Sequence, residues 1–264
     1  MQRDLFPGVP AWYLATAIAV FGACVGSFLN VVIHRLPKKQ SLLWPGSACP
    51  RCERPIRPYE NVPILAWILL RGRCRGCRAP ISPRYVIVEL AVALLSLVCA
   101  WQFGLTLQAL LMFALLAALL AVALIDWEHL IIPDGISLGF LALGLLVSPV
   151  AGPGIVKSLI GAVVGGGLLL VVAVAWEKLR GVEAMGGGDI KLMGAIGAFL
   201  GAVDALLVIF LGAFLGALFG TVLLRRNAQA RIAFGTFLSA ATFLVVFFGD
   251  AAIAWYLRAV GFGG

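Results

Sequence analysis

Charge is what this chain has least of. Only 12% of its 264 residues are Asp, Glu, Lys or Arg, while 62% are hydrophobic. That balance excludes an ordinary water-soluble domain and places the chain among polytopic membrane proteins. Acids are the scarcer sign, 12 against 20 Lys and Arg. No convincing internal repeat is present, and no dinucleotide-type glycine fingerprint follows a strand, so no nucleotide-cradling loop is readable. The first apolar run is too long and too weakly basic at its start for a cleaved signal peptide, and it reads as a retained helix.

What is abundant is apolar sequence of spanning length. Runs recur at 11–33, 86–103, 105–125, 136–151, 155–176, 189–203, 205–224 and 232–255, two of them shorter than the ~20 residues a full crossing needs. The expected fold is an all-α polytopic membrane protein of about eight transmembrane helices. Eight alternating crossings collect 17 of the 20 Lys and Arg on one side, leaving Arg3, Lys157 and Arg258 on the other. That bias marks the basic side as cytoplasmic. The net charge of +8 is then a topology signal with some attraction to anionic lipid, and no nucleic-acid partner is needed. Small residues at four-residue spacing, as in Gly161 with Gly165 to Gly167 and in Gly212, Gly216 and Gly220, predict closely packed helices.

The segment from His34 to Arg84 is soluble in character, rich in Arg, Pro and Gly. It divides the chain into a first transmembrane helix (1–33), a small tetracysteine domain (34–85) inserted between the first two membrane helices, and a membrane-embedded domain (86–264). Its cysteines form two C-x-x-C knuckles, Cys49-Pro-Arg-Cys52 and Cys74-Arg-Gly-Cys77. Two thiolates from each would complete a four-thiolate tetrahedral shell, best suited to structural zinc. A cytoplasmic loop keeps thiols reduced, which argues against disulfides, and such a short loop would draw its folding energy from the metal. An iron–sulfur or redox role and unliganded thiols are the alternatives. Cys24 and Cys99, alone inside helices, read as small packing residues.

Two acids stand where membrane helices meet the cytoplasm. Asp126 closes the run 105–125, and Asp189 opens another directly after Gly186-Gly187-Gly188. Ionisable groups at the edge of hydrocarbon are costly and usually face a partner or a water-filled cavity. Two carboxylates meeting there would share a proton, one acting as base and the other as acid, which is aspartyl-protease chemistry in a bilayer. The glycine run is either a flexible turn that starts a helix or a backbone that approaches an extended substrate strand. Asp134, in Ile132-Pro133-Asp134-Gly135, competes for a catalytic role, but its place before an apolar run suits capping or positioning. Lys191 would either tune Asp189 or meet lipid phosphate.

These strings together resemble the bacterial type IV prepilin peptidases, bifunctional leader peptidases and N-methyltransferases. The resemblance covers nearly the whole length. It rests on Gly26-Ser27-Phe28-Leu29-Asn30 with His34-Arg35-Leu36-Pro37, both knuckles, Arg57-Pro58-Tyr59-Glu60-Asn61, Arg84-Tyr85 with Glu89-Leu90, Ile125-Asp126, and Met185-Gly186-Gly187-Gly188-Asp189-Ile190-Lys191. It departs at Ala233-Phe234-Gly235-Thr236, where the family usually carries prolines on either side of Phe-Gly, and this puts the local turn in doubt. Presenilin-like proteases share a G-x-G-D string, but the chain lacks their Pro-Ala-Leu. The resemblance implies catalysis by Asp126 and Asp189 on prepilins or pseudopilins at the cytoplasmic face of a bacterial inner membrane. It also implies methylation of the new N-terminus from S-adenosylmethionine. Glu60, Asn61 and Gly72 are the candidates for that cofactor.

Helix dipoles suggest a division of labour. Asp126, at the negative end of its helix, would carry the proton, and Asp189, at a positive end, would be the anion that activates water. A transporter or proton channel would want its acids near the midplane, and a zinc-knuckle scaffold would leave Gly-Gly-Gly-Asp unexplained.

Overall fold

The computed structural model describes residues 10–182, 185–226 and 232–259, with no side-chain description at 222–226 and 257. Arg3, placed above on the outer side, lies outside the described residues. Nine α-helices are present among them: α1 (Ala11–Arg35), α2 (Leu65–Leu69), α3 (Arg84–Phe103), α4 (Leu107–His129), α5 (Asp134–Ala151), α6 (Ile155–Arg180), α7 (Gly187–Leu200), α8 (Ala202–Arg226) and α9 (Phe234–Ala259). Seven of them are long and apolar enough to cross a bilayer. The protein is a helical membrane protein.

The run expected at 189–203 is the exception. It forms α7, 14 residues and therefore about 21 Å long at 1.5 Å per residue, short of a ~30 Å hydrocarbon core. Gly201, at φ 89°, ends it; that left-handed backbone is open to glycine at little cost, and α8 begins one residue later. α7 is also a thoroughly buried helix, with Leu192 through Phe199 all shielded.

The chain divides into two compact units, Met1–Ala121 and Val122–Gly264. In the first, α1 and α3 run antiparallel in close contact. A Cβ on Gly26 would lie 2.7 Å from the Cα of Glu89, and one on Gly22 would meet the Ser96 hydroxyl. Ser96 Oγ donates to Ile18 O across 3.0 Å, and Asn30 Nδ2 donates to Tyr85 O across 3.0 Å. The Gly22–Gly26 spacing is therefore a packing motif of the same kind as those expected further along.

In the second unit, α6 and α7 pack antiparallel. A Cβ on Gly161 would strike the Gly197 carbonyl, and one on Gly165 would sit 2.6 Å from Met193 O, whereas Gly167 has nothing within 4 Å. Ser158 Oγ, fully buried, donates to Ala198 O. The α5 helix reaches α7 through Phe140 and Phe199, ring centroids 6.0 Å apart. Gly212 meets Leu238 across the α8–α9 contact, where Phe219 stacks on Phe237.

Candidate active site and metal centre

The tetracysteine segment builds the same small loop twice. An isolated bridge closes each knuckle, Ala48 with Pro55 and Arg73 with Pro80. Cys49 N donates to Arg54 O at 3.0 Å and Glu53 N to Cys49 O at 2.9 Å. In the second knuckle Cys74 N donates to Ala79 O at 2.8 Å and Arg78 N to Cys74 O at 2.9 Å. Glu53 and Arg78 share nearly the same left-handed backbone, φ 56° and 57°. The two loops bring all four sulfurs within 4.8 Å of one another.

Cys49 Sγ and Cys77 Sγ are 3.8 Å apart, the edge expected of a tetrahedron with legs of about 2.3 Å. Backbone N–H groups of Arg51 and Cys52 draw the Cys49 thiol down to about 6. At Cys52 the Arg54 N–H pulls the same way, but the Cys77, Cys49 and Cys74 thiols together with burial outweigh it and push the thiol up to about 11. Four sulfurs this close resist holding four negative charges without a cation among them. The cysteines are positioned to bind a metal.

Glu60 ties the knuckles together. Its almost wholly buried carboxylate accepts from Arg54 Nη2 at 2.7 and 2.8 Å and from Arg57 N at 3.2 Å, with Arg75 Nη1 3.6 Å away. Hydrogen bonding to Arg54 holds that carboxyl below the ordinary range. Gly72, at φ 64°, lies under the Trp67 indole, where a Cβ would come within 2.9 Å of Cζ2. Asn61 closes the short turn after Pro58 through N–H to Pro58 O at 3.1 Å. Glu60 and Gly72 are thus each engaged by protein groups.

The two acids stand on separate elements of the second unit. Asp126 sits three residues before the end of α4, and Asp189 lies in the first turn of α7, its N–H bonded to Gly186 O at 3.1 Å. Both are buried. One residue joins their surroundings: a Cβ on Gly188 would lie 2.9 Å from Ile132 Cβ, and a Cβ on Gly235 would lie 2.6 Å from Ile132 Cδ1 and 3.0 Å from Asp126 Oδ2. The end of α4 and the starts of α7 and α9 converge on Ile132, and Asp126 is within electrostatic reach of Asp189. Asp126 Oδ2 accepts from Thr236 N at 3.0 Å, while Thr236 Oγ1 donates to Ala123 O at 3.0 Å. Oδ1 of Asp189 is buried with no hydrogen-bond partner among the described residues, a costly state that calls for a reason.

Gly235 and Thr236 were not singled out as site residues. The signal that could have found them is Phe-Gly itself, present in the family pattern and retained here without its prolines. Of the glycine run, Gly186 precedes α7 in extended backbone, Gly187 faces open space and Gly188 has room only for hydrogen against Ile132.

Asp134 caps nothing through its side chain. Pro133 holds the N-cap position, and Asp134 Oδ1 instead takes Lys191 Nζ at 2.8 Å. The acid therefore stands one residue past the place where capping works. It links the start of α5 to the second turn of α7, and Lys191 is committed to that pair.

A family model described as "Bacterial Peptidase A24 N-terminal domain" matches residues 20–103, and one described as "Type IV leader peptidase family" matches residues 113–221. A prepilin leader peptidase/N-methyltransferase of Aeromonas hydrophila is 37% identical over 96% of the chain and 97% of its own length. One from Pseudomonas aeruginosa is 40% identical over 96% of each. The chain belongs to the type IV leader peptidase family. A further leader peptidase relative from Myxococcus xanthus is 41% identical over 76% of the chain and 60% of its own length. No solved structure matches. The first family model covers α1 from residue 20, both knuckles and α3, and the second spans Asp126, Asp189 and the α6–α7 packing.

Proposed function

We propose that this leader peptidase family member is a membrane aspartyl endopeptidase. It cleaves the leader peptides of prepilins or pseudopilins at the cytoplasmic face of a bacterial inner membrane and methylates the new N-terminus. The observation that carries the reading is that two buried acids stand beside glycines packed on one residue: Gly188, next to Asp189, and Gly235, against Asp126, both meet Ile132.

The mechanism follows from the groups present. A water between the acids loses its proton to Asp126, whose anion is favoured by the Thr236 N–H that it accepts. Asp189, buried with Oδ1 unpartnered among the described residues, favours its protonated form and gives that proton to the scissile carbonyl, the reverse of the division that the helix dipoles suggest. The attacked peptide needs extended backbone, and the open side of Gly187 is the place where main chain can approach. Acids at helix ends rather than mid-span fit a peptide cut at the membrane surface better than a transmembrane proton path.

Cys49, Cys52, Cys74 and Cys77 would hold zinc, which supplies a structural cross-link between the knuckles and no open position for substrate. The methyl donor is S-adenosylmethionine, and no step is routed through Glu60, Asn61 or Gly72.

The test is cleavage of a purified prepilin in proteoliposomes, with labelled S-adenosylmethionine present. Asp126→Asn and Asp189→Asn are each expected to abolish cutting while methylation of a pre-cleaved substrate continues. Substantial cutting by either variant removes that acid from the mechanism.

A further inference from the structure

The segment Asn61–Leu70 carries no charged residue, although eleven Lys and Arg stand elsewhere between residues 34 and 85. Within it α2 presents Leu65, Ile68 and Leu69 outward, 58%, 55% and 80% exposed, while Ala66 packs inward. The spacing i, i+3, i+4 puts the three on one face. An apolar face of this size on a soluble loop would be a liability in water.

The position of α2 says what covers it. The N–H of Ile64, the residue before the helix, donates to Oε2 of the buried Glu89 at 2.7 Å. The backbone of Glu89 lies against Gly26 of α1. Gly26 stands nine residues before the end of α1 (26 to 35) and Glu89 five residues inside α3 (84 to 89). At 1.5 Å per residue these are depths of about 13 Å and about 7 Å along the two membrane helices. The start of α2 is therefore held within one glutamate side chain of the α1–α3 contact, near the level at which α3 begins.

The backbone suits that level too. N–H groups of Ala66, Ile68, Leu70, Arg71, Gly72 and Arg73 all donate to carbonyls of the same segment, and hydrocarbon demands such internal pairing. Trp67 Nε1 donates to Ile81 O at 3.2 Å, fastening the helix to the chain that enters α3. Arg71 and Arg73 follow immediately, exposed, as basic residues do at a headgroup boundary.

We propose that residues 64–70 dip into the membrane. The Leu65–Ile68–Leu69 face packs among acyl chains beside α1 and α3, which fixes the metal-binding knuckles on the bilayer surface. The apolar stem of a peptide substrate and a second copy of the chain are the competing occupants.

Hydroxyl-radical footprinting of the unaltered protein in nanodiscs, without peptide, tests the surface. Leu65, Ile68 and Leu69 should be protected severalfold relative to the unfolded chain, like Leu94 on the exposed side of α3. Unfolded-like rates at the three with Leu94 still protected would overturn the proposal. Benzoylphenylalanine at position 69 or 68 then identifies the neighbour by mass. A phospholipid adduct supports insertion, and an adduct only to a second copy or to added peptide overturns it.

Discussion

Thr236 donates its backbone N–H to Oδ2 of Asp126 across 3.0 Å, joining the first turn of α9 to the last turn of α4. The neighbouring Gly235 leaves the room for that contact. A methyl there would stand 3.0 Å from the carboxylate oxygen and 2.6 Å from Ile132 Cδ1. Gly235→Ala should lower kcat for leader cleavage by about tenfold or more, since small displacements of reacting groups are expensive, with KM little changed. A variant with unaltered kcat would separate the α9 turn from catalysis. Thr236→Val retains the amide and should cost less.

The Asp134–Lys191 pair makes a contrasting prediction. It is short, at 2.8 Å, but both side chains are substantially exposed, so its worth to stability lies within about 0–1 kcal/mol. Asp134→Asn and Lys191→Met should each shift the thermal midpoint only slightly. A double-mutant cycle on cleavage should show the two substitutions coupled, because they act through one link between α5 and α7. Independent effects would give Lys191 a role apart from Asp134.

Most of this architecture was legible because bilayer physics writes itself into composition. Apolar runs, basic asymmetry and paired knuckles are local signals, and each run became a helix. The span expected at 189–203 fell short because Gly201 stops α7 after 14 residues. Apolar composition records burial in protein as readily as burial in lipid. Across residues 34–85 arginines dominate the average composition, and that average conceals the uncharged stretch that became α2. Asp126 and Asp189 stood out as acids in an apolar setting, but Thr236 serves the site with a backbone N–H, which side-chain chemistry does not advertise. Lys191 could not be placed before its partner Asp134 was known to lie opposite.

Metal removal should separate the two units functionally. Purified protein is expected to carry one zinc per chain by elemental analysis, and Cys49→Ser or Cys77→Ser should lose it. Structural zinc contributes roughly 10–16 kcal/mol of apparent folding energy in small zinc domains. A strong chelator should therefore make residues 34–85 sensitive to protease while overall helicity stays nearly constant. Persistent resistance without metal would show that the knuckles fold unaided.

Acid should loosen the same segment through Glu60. Its carboxyl is held below the ordinary value of 4.5 by Arg54, so the folded state binds its proton less readily than the unfolded chain does. The stabilisation is complete above that ordinary value and is lost as pH falls through the lower, folded one. Protease sensitivity of residues 34–85 should rise below about pH 4.5. In Glu60→Gln the segment should already be looser at neutral pH, with a correspondingly smaller acid step. An unchanged acid step in that variant would assign the transition to the thiols.

The α6–α7 contact offers two glycines six residues apart with opposite expectations. At Gly161 an added Cβ would collide with the Gly197 carbonyl, and both partners are backbone that cannot rotate away. Gly167, on the same helix, has nothing within 4 Å of its own added Cβ and sits where alanine improves helix propensity by about 1 kcal/mol. Gly161→Val should destabilise the protein by about 1–3 kcal/mol or more, the range for overpacking a close contact. It should also impair cleavage, because α7 carries Asp189. Gly167→Ala should be neutral or mildly stabilising. Thermal unfolding in one detergent, read beside the cleavage rate, compares the two directly. Equal effects would mean that α6 and α7 do not approach as closely as Gly161 and Gly197 require.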